Sequence, residues 1–366
     1  MRRSTERVGG ERVGLIAYSD SSKIGGAEAS LRDRIAALDA RFDVSVVGVD
    51  RETVESIAAP RPSARTVTVR PVRNKRDVGP ILEHMRVIRS MRPDVFHANL
   101  RHPWSCQYGL LAALRTPGAA IVAVEHLAVP SSSRLQRLLC RRIFERVDAH
   151  VAVGERSARA VEEFIGLQVG SVETIYNGVP DIELDVLPRP GDGPVIGALG
   201  RLDEQKGFDV LVRALVDLPG VTAVVVGEGP ERARLDALAG ELGVADRFEI
   251  VDWPSQPRDW LTTFDVFVLP SRFEILPLAI VQAMLAGLPI VTTRVGSVDE
   301  AVRDGETGVF IAPEQPRALA EVVRGLLSDP SRRKKMGEAG RRFALERFSM
   351  ETTTAEFEAL YDEILR

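Results

Sequence analysis

Cysteine is nearly absent: 366 residues contain two, Cys106 and Cys140, far apart and with no C-x-x-C. Neither a disulfide framework nor a zinc site is suggested, and a reducing, cytoplasmic compartment is expected. A basic excess is also missing. Lys and Arg number 48 against 52 Asp and Glu, a net charge of −4, whereas nucleic-acid binders are usually basic overall. No apolar run approaches the roughly 18 residues that a membrane span needs. The opening MRRSTERVGGERVGLIAYSD starts charged, and its short apolar run breaks at Tyr18 and Ser19. It is read as neither signal peptide nor span. There is no H-E-x-x-H, no close His/Cys set and no D-x-D pair, so neither a metal nor another cofactor is expected. A G-x-S-x-G elbow for serine catalysis is lacking too.

The chain is too long for one typical core, so two domains are expected. It is 45% hydrophobic and 27% charged, an ordinary soluble composition. Residues 1–187 hold 27 Lys and Arg against 23 Asp and Glu, leaving 21 and 29 for the rest. Either the halves meet different partners or charge drifts around neutrality. Strand-like runs such as RVGLIAYSD, FDVSVVGVD, DVFHA and AAIVAVEH alternate with helical spacings such as EASLRDRIAALDA and ILEHMRVIRSM. The prolines and glycines of DVLPRPGDGPVIG, 185–197, mark a linker, after which PVIGALGR, VTAVVVGEG and VFVLPS restart the rhythm. This predicts an α/β protein of two doubly wound parallel-sheet, Rossmann-like domains joined near residue 190, with a helical tail. Ligands are expected beyond the carboxyl ends of the strands, in the cleft between facing sheets.

Several stretches place chemistry at such strand ends. In GALGRLDEQKG, 197–207, Arg201 offers phosphate a planar fork and Lys206 a point charge. A solvated loop with two cations is the plain alternative. IGGAE at 24–28 and VGEGPER at 226–232 are glycine turns where amides can approach an anion or the chain simply turns. In SRFEILPLAIVQAM, 271–284, Pro277 suits the first turn of a helix and leaves Glu274 on the loop before it. Glu274 either accepts from ligand hydroxyls or complements the helix dipole. His97 and His126 each end an apolar strand, where ligand-facing and structural roles are both open. In SRLQRLLCRRIFERVD, 133–148, Leu135, Leu138, Leu139 and Ile143 fall at helical spacing among arginines. An amphipathic domain helix with a solvated basic face is favoured over an interfacial helix drawn to anionic lipid.

In order, GGAE, DVFHAN, the EH at 125–126, IYNGV, LGRLDEQKGFDVLVRAL, VVVGEGPERARLDALAGELG, VFVLPSRFEILPLAIVQAMLAGLPIV and DGETGVFI resemble the retaining glycosyltransferases of GT-B fold, family 4. The likeness runs nearly end to end, is densest over 194–313, and is specific for the family rather than for a substrate. It implies transfer of a sugar from a nucleotide diphosphate sugar, a UDP-sugar first and GDP-mannose second, to an acceptor hydroxyl. Glu274 and His126 become the catalytic candidates: Glu274 would hold sugar hydroxyls, and His126 would touch the sugar or its phosphate. Arg201 and Lys206 would bind the diphosphate, doing with fixed cations what a metal otherwise does. Gly26, Gly229 and the amides near Leu278 would join them, with Trp253 near the base. Gln282 stands where the family's second glutamate grips the ribose.

The resemblance implies an acceptor-binding domain at 1–188, a nucleotide-sugar domain at 189–347, and a helix at 348–366 packing back on the first. The acceptor, a sugar, lipid-linked or small molecule, would meet His97, Asn99, Arg101, Arg137 and Arg141, with peripheral contact at the inner membrane face. Two departures stand out. Gln282 keeps an accepting oxygen but no charge. Ile275-Leu276-Pro277 replaces a glycine-containing turn, and Pro277 lacks an N–H. An epimerase of the same architecture and a non-catalytic sugar-nucleotide binder are the alternatives.

Overall fold

The structure, a computed structural model, describes residues 12–74, 76–127, 129 and 133–366. It forms two compact units, Met1–Pro180 with Met350–Arg366, and Asp181–Ser349.

In the first unit, β1 (Val13–Ser19), β2 (Phe42–Gly48), β3 (Arg65–Thr68), β4 (Val95–Leu100), β5 (Ala120–Glu125), β6 (Ala149–Ala152) and β7 (Glu173–Thr174) form one sheet in the order β3-β2-β1-β4-β5-β6-β7. Neighbouring strands pair in parallel throughout the described residues. The connecting helices are α1 (Gly26–Ala37), α2 (Arg51–Ala58), α3 (Val78–Met91), α4 (Gln107–Ala113), α5 (Arg134–Phe144) and α6 (Glu155–Ile165). Central strands such as β4 and β5 are buried at every position, as a parallel sheet covered on both faces requires. SVETIYNG yields only the two residues of β7, at the sheet edge.

The second unit repeats the plan with β8 (Val195–Leu199), α7 (Phe208–Ala214), β9 (Thr222–Val226), α8 (Arg232–Glu241), β10 (Phe248–Val251), β11 (Val266–Leu269), α9 (Leu278–Leu285), β12 (Ile290–Thr293), α10 (Val298–Ala301), β13 (Gly308–Ile311), α11 (Pro316–Leu327) and α12 (Pro330–Phe348). Its strand order is β10-β9-β8-β11-β12-β13. Strand order reverses between β1 and β4 in one unit and between β8 and β11 in the other. Those are the points where doubly wound sheets leave a crevice at the strand ends.

The division falls at Pro180 and Asp181 rather than near residue 190. The Pro/Gly-rich stretch is fastened to the second unit: the Asp185 amide donates to Asp259, the Leu187 amide to Thr262, and Arg189 pairs with Asp265 at 2.6 Å. At the other end the chain leaves α12 through extended Ser349 (φ −66°, ψ 151°). It returns to the first unit as α13 (Met350–Ile364), the Met350 amide donating to the Val179 carbonyl. There α13 packs on α1, with Arg34 stacked over Phe357 and Arg41 bidentate to Asp362.

Candidate active site

In the second unit the loops after β8 and β11 carry Lys206 and Glu274 together. The Lys206 ammonium donates to Glu274 Oε1 at 2.6 Å, and the Ser271 hydroxyl donates to the same oxygen at 2.8 Å. Both side chains are largely withdrawn from water, 17% and 6% exposed. Oε1 thus takes both bonds, and Glu274 Oε2 makes no hydrogen bond among the described residues.

The two loops are latched to each other. Arg272 pairs with Asp209 through two 2.9 Å bonds, and its guanidinium also donates to the Glu204 carbonyl. The Arg272 amide donates to the Gln205 carbonyl, and Gln205 Nε2 to the Phe273 carbonyl. The Asp209 pair and the salt bridge to Glu314 hold Arg272 firmly charged. Glycine is required at two points. Gly207 (φ +66°) and Gly296 (φ +54°) lie in the left-handed region, and a Cβ there would fall on the carbonyls of Pro270 and Glu274 respectively.

Pro277 sits one position earlier than expected: it is the N-cap (φ −71°, ψ 119°), and α9 begins at Leu278. The first amides of α9, Leu278 and Ala279, have no partner within the helix. Gln282 is half-buried in the next turn, its amide unbonded among the described residues. Arg201 stands apart, 70% exposed and paired with Asp203 at 2.5 Å. Gly229 (φ +156°) turns the chain after β9 against the Leu202 carbonyl, and Trp253 follows β10 at 48% exposure. A cavity of about 330 Å³ in this unit, lined by Arg258, Leu285 and Arg341 among others, touches none of these residues.

In the first unit Gly26 opens α1 with free space in front of it, and buried Glu28 reaches back to the Gly25 amide. His97 does not end its strand, because β4 continues to Leu100. It is 1% exposed, and its Nδ1 bonds the Tyr361 hydroxyl at 2.8 Å under α13. His126 differs from expectation as well: both ring nitrogens are engaged, Nε2 with Asn99 Oδ1 at 2.8 Å and Nδ1 with Asn177 Nδ2 at 3.4 Å. Burial, then the Arg34 charge, holds its pKa down to about 3. Asn99 is fully buried in the same cluster, whereas Arg101 and Arg137 are exposed. Arg141 is exposed and pairs with Glu145 at 2.7 Å.

The leucine stripe of α5 is not its core face. Cys140 and Phe144 are buried, while Leu135, Leu138 and Leu139 are 59%, 46% and 48% exposed. Ser271, Arg272, Gln205, Ser30, Asn177 and Arg34 escaped the sequence reading. Only Arg34 carried a signal, its place among Leu31, Ile35 and Leu38 on the core face of α1. Among the described residues, no group of three or more His, Cys, Asp or Glu could hold a metal, and no helix is long and apolar enough to cross a membrane.

Two family models match in tandem: Glycosyltransferase Family 4 over residues 24–182, and Glycosyl transferases group 1 over residues 181–343. The chain is 35% identical over 168 residues to a lipopolysaccharide core biosynthesis glycosyltransferase of Rhizobium meliloti, covering 46% of this chain and 49% of that protein. It is 35% identical over 185 residues to a GDP-mannose-dependent alpha-(1-6)-phosphatidylinositol monomannoside mannosyltransferase of Mycolicibacterium smegmatis, covering 46% and 48%. The chain thus spans about half the length of these curated relatives. The structure of Anabaena HepE in complex with UDP-glucose superposes with a TM-score of 0.79 at 20% identity, over 96% of this chain and 100% of that one. The superposition shows the shared GT-B fold, and on the tandem family matches, which together span residues 24–343, the chain belongs to the group 1, family 4 glycosyltransferases.

Proposed function

We propose that the protein transfers a sugar from a nucleotide diphosphate sugar to an acceptor hydroxyl with retention of configuration. The observation that carries this reading is the Lys206–Glu274–Ser271 cluster on the loops after β8 and β11, followed in sequence by the start of α9 at Leu278. Lys206 and Arg201 steady the diphosphate as it departs, Glu274 Oε2 accepts from a sugar hydroxyl, and the α9 amides meet phosphate oxygens. Gln282 accepts from the ribose and Trp253 lies by the base. Gly26 and Gly229 bring backbone close to the donor. The acceptor oxygen attacks on the leaving-group face; the new glycosidic bond forms as the sugar–phosphate bond breaks, and the acceptor proton passes to the departing phosphate. These fixed cations take the place of a metal, and no further cofactor is invoked.

A UDP-sugar is the first donor to test, because the structure of Anabaena HepE holds UDP-glucose. GDP-mannose is second, because the Mycolicibacterium relative is named for it. The acceptor is placed on the first unit, near Arg101, Arg137 and Arg141. Exposed Leu135, Leu138 and Leu139 beside the α5 arginines support contact with an anionic lipid surface. Reversing charge at Arg137 and Arg141 is then expected to weaken binding to anionic vesicles and to a lipid-linked acceptor; unchanged binding of both removes this placement. Incubation with donor alone separates the reaction classes. A transferase leaves the donor intact or hydrolyses it slowly, whereas conversion to an epimer would overturn the proposal.

A further inference from the structure

A chain of hydrogen bonds crosses the first unit beneath its strand ends. Arg34 Nη2 donates to the Ser30 hydroxyl at 3.5 Å, and Ser30 Oγ donates to Asn177 Oδ1 at 2.7 Å. Asn177 Nδ2 meets His126 Nδ1 at 3.4 Å, and His126 Nε2 meets Asn99 Oδ1 at 2.8 Å. Asn99 Nδ2 then donates to the Ala27 carbonyl at 3.3 Å. The Ala27 end of this chain fixes its direction. A backbone carbonyl only accepts, so Asn99 turns its NH2 to Ala27 and its oxygen to His126, which requires a proton on Nε2. The neutral ring then has a bare Nδ1, which takes the Asn177 NH2 and leaves Asn177 Oδ1 to accept from Ser30. Arg34, which only donates, occupies a lone pair of Ser30 Oγ and leaves its O–H for Asn177, so the far end is compatible with the same neutral tautomer.

Arg34 itself is unusual. It is 1% exposed and stacked 3.7 Å over Phe357, and its Nε and Nη1 have no partner. No ion pair neutralises it among the described residues. We infer that Arg34 is a positioning residue, acting through Ser30 and Asn177 to hold His126 as the neutral Nε2–H imidazole. The groups acting on His126 agree: Arg34 from α1 and His97 from β4 bring no carboxylate, and His97 is itself closed over by Tyr361 and Phe357 from α13. Burial and the Arg34 charge push the ring in the same direction. An imidazolium would aim Nδ1–H at an NH2 group. His126 is therefore held neutral with both nitrogens already committed, and is not a proton donor or acceptor. That His126 adjoins a donor site rests on the transferase reading; the tautomer does not.

The experiment is 15N NMR of the His126 imidazole in the intact, ligand-free chain, from about pH 8 to about pH 5, across the range where a free imidazole titrates. The expected result is the Nε2–H tautomer throughout, with no titration. Arg34→Met is expected to bring the titration up into this window and populate Nδ1–H, and Arg34→Lys to restore the wild-type signal. Should Arg34→Met fail to fold, Ser30→Ala cuts the same chain with less disturbance and is expected to mix the tautomers. Wild-type Nδ1–H, or an unchanged signal in both Arg34→Met and Ser30→Ala, overturns the inference. No substrate enters the measurement, so a failure of the transferase reading leaves it intact.

Discussion

The two units hold their candidate groups by opposite means. In Asp181–Ser349 the chemistry sits on paired charges: Lys206 on Glu274, Arg272 on Asp209, Arg201 on Asp203. In the other unit it sits on a neutral hydrogen-bond chain whose one charge, Arg34, has no ion-pair partner among the described residues. Paired charges at strand ends can exchange part of their partnership with an incoming diphosphate and sugar. A directed neutral chain cannot do so without reversing every amide along it. The proposed donor role of the second unit draws on such exchangeable charges, whereas the inferred chain of the first holds its histidine neutral.

The largest break in this contrast comes from Lys206→Met. It leaves the Glu274 carboxylate, 6% exposed, with only Ser271. Removing one member of a buried pair costs about 3 kcal/mol or more, and denaturant melts are expected to show that loss together with weakened donor binding. Glu274→Gln keeps the shape and an accepting oxygen but removes the charge proposed to meet the sugar. Turnover is expected to fall about 100-fold or more, the scale of losing one transition-state contact, while circular dichroism stays native. Normal turnover would remove Glu274 from the catalytic set.

The neutral unit breaks with acid. His126 and His150 have folded pKa values held down to about 3, chiefly by burial, against about 6.5 in an unfolded chain. The folded state therefore binds fewer protons than the unfolded one below about pH 6.5, and stability falls with pH from there towards 3. Thermal melts across that range are expected to show the decline, and His150→Phe, which stacks as His150 does on Phe144, to reduce it. A flat profile would contradict the buried neutral histidines.

The smallest effect belongs to Gln282→Glu. Restoring the charge turns a neutral hydrogen bond into a charged one, worth about 1 kcal/mol more, so donor affinity is expected to rise about fivefold or stay level. A large loss of activity would mean that the pocket is built around an amide and that the ribose assignment is wrong.

The alternation of strands and helices was legible because parallel strands buried on both faces read as unbroken apolar runs, as in VIGAL and VFVL. Lys206 and Glu274 were legible as strand-end groups, but their contact depends on β8 lying beside β11, which joins side chains 68 positions apart in sequence. The linker misled because composition does not reveal that Asp185 and Leu187 bond to Asp259 and Thr262. His97 misled because Ala98 to Leu100 extend its strand, and because Tyr361, far along the chain, closes over it. Arg34 drew no notice since its stacking partner, Phe357, belongs to the last helix.

The central claim is that the charged strand ends of the second unit receive a nucleotide diphosphate sugar. A thermal-shift panel of UDP- and GDP-sugars, their free diphosphates and unrelated anions tests it most directly. At about 100 times its dissociation constant, the correct donor is expected to stabilise the protein by about 2.7 kcal/mol, with the shift lost in Lys206→Met. Folded protein that no nucleotide diphosphate or nucleotide sugar stabilises would contradict it.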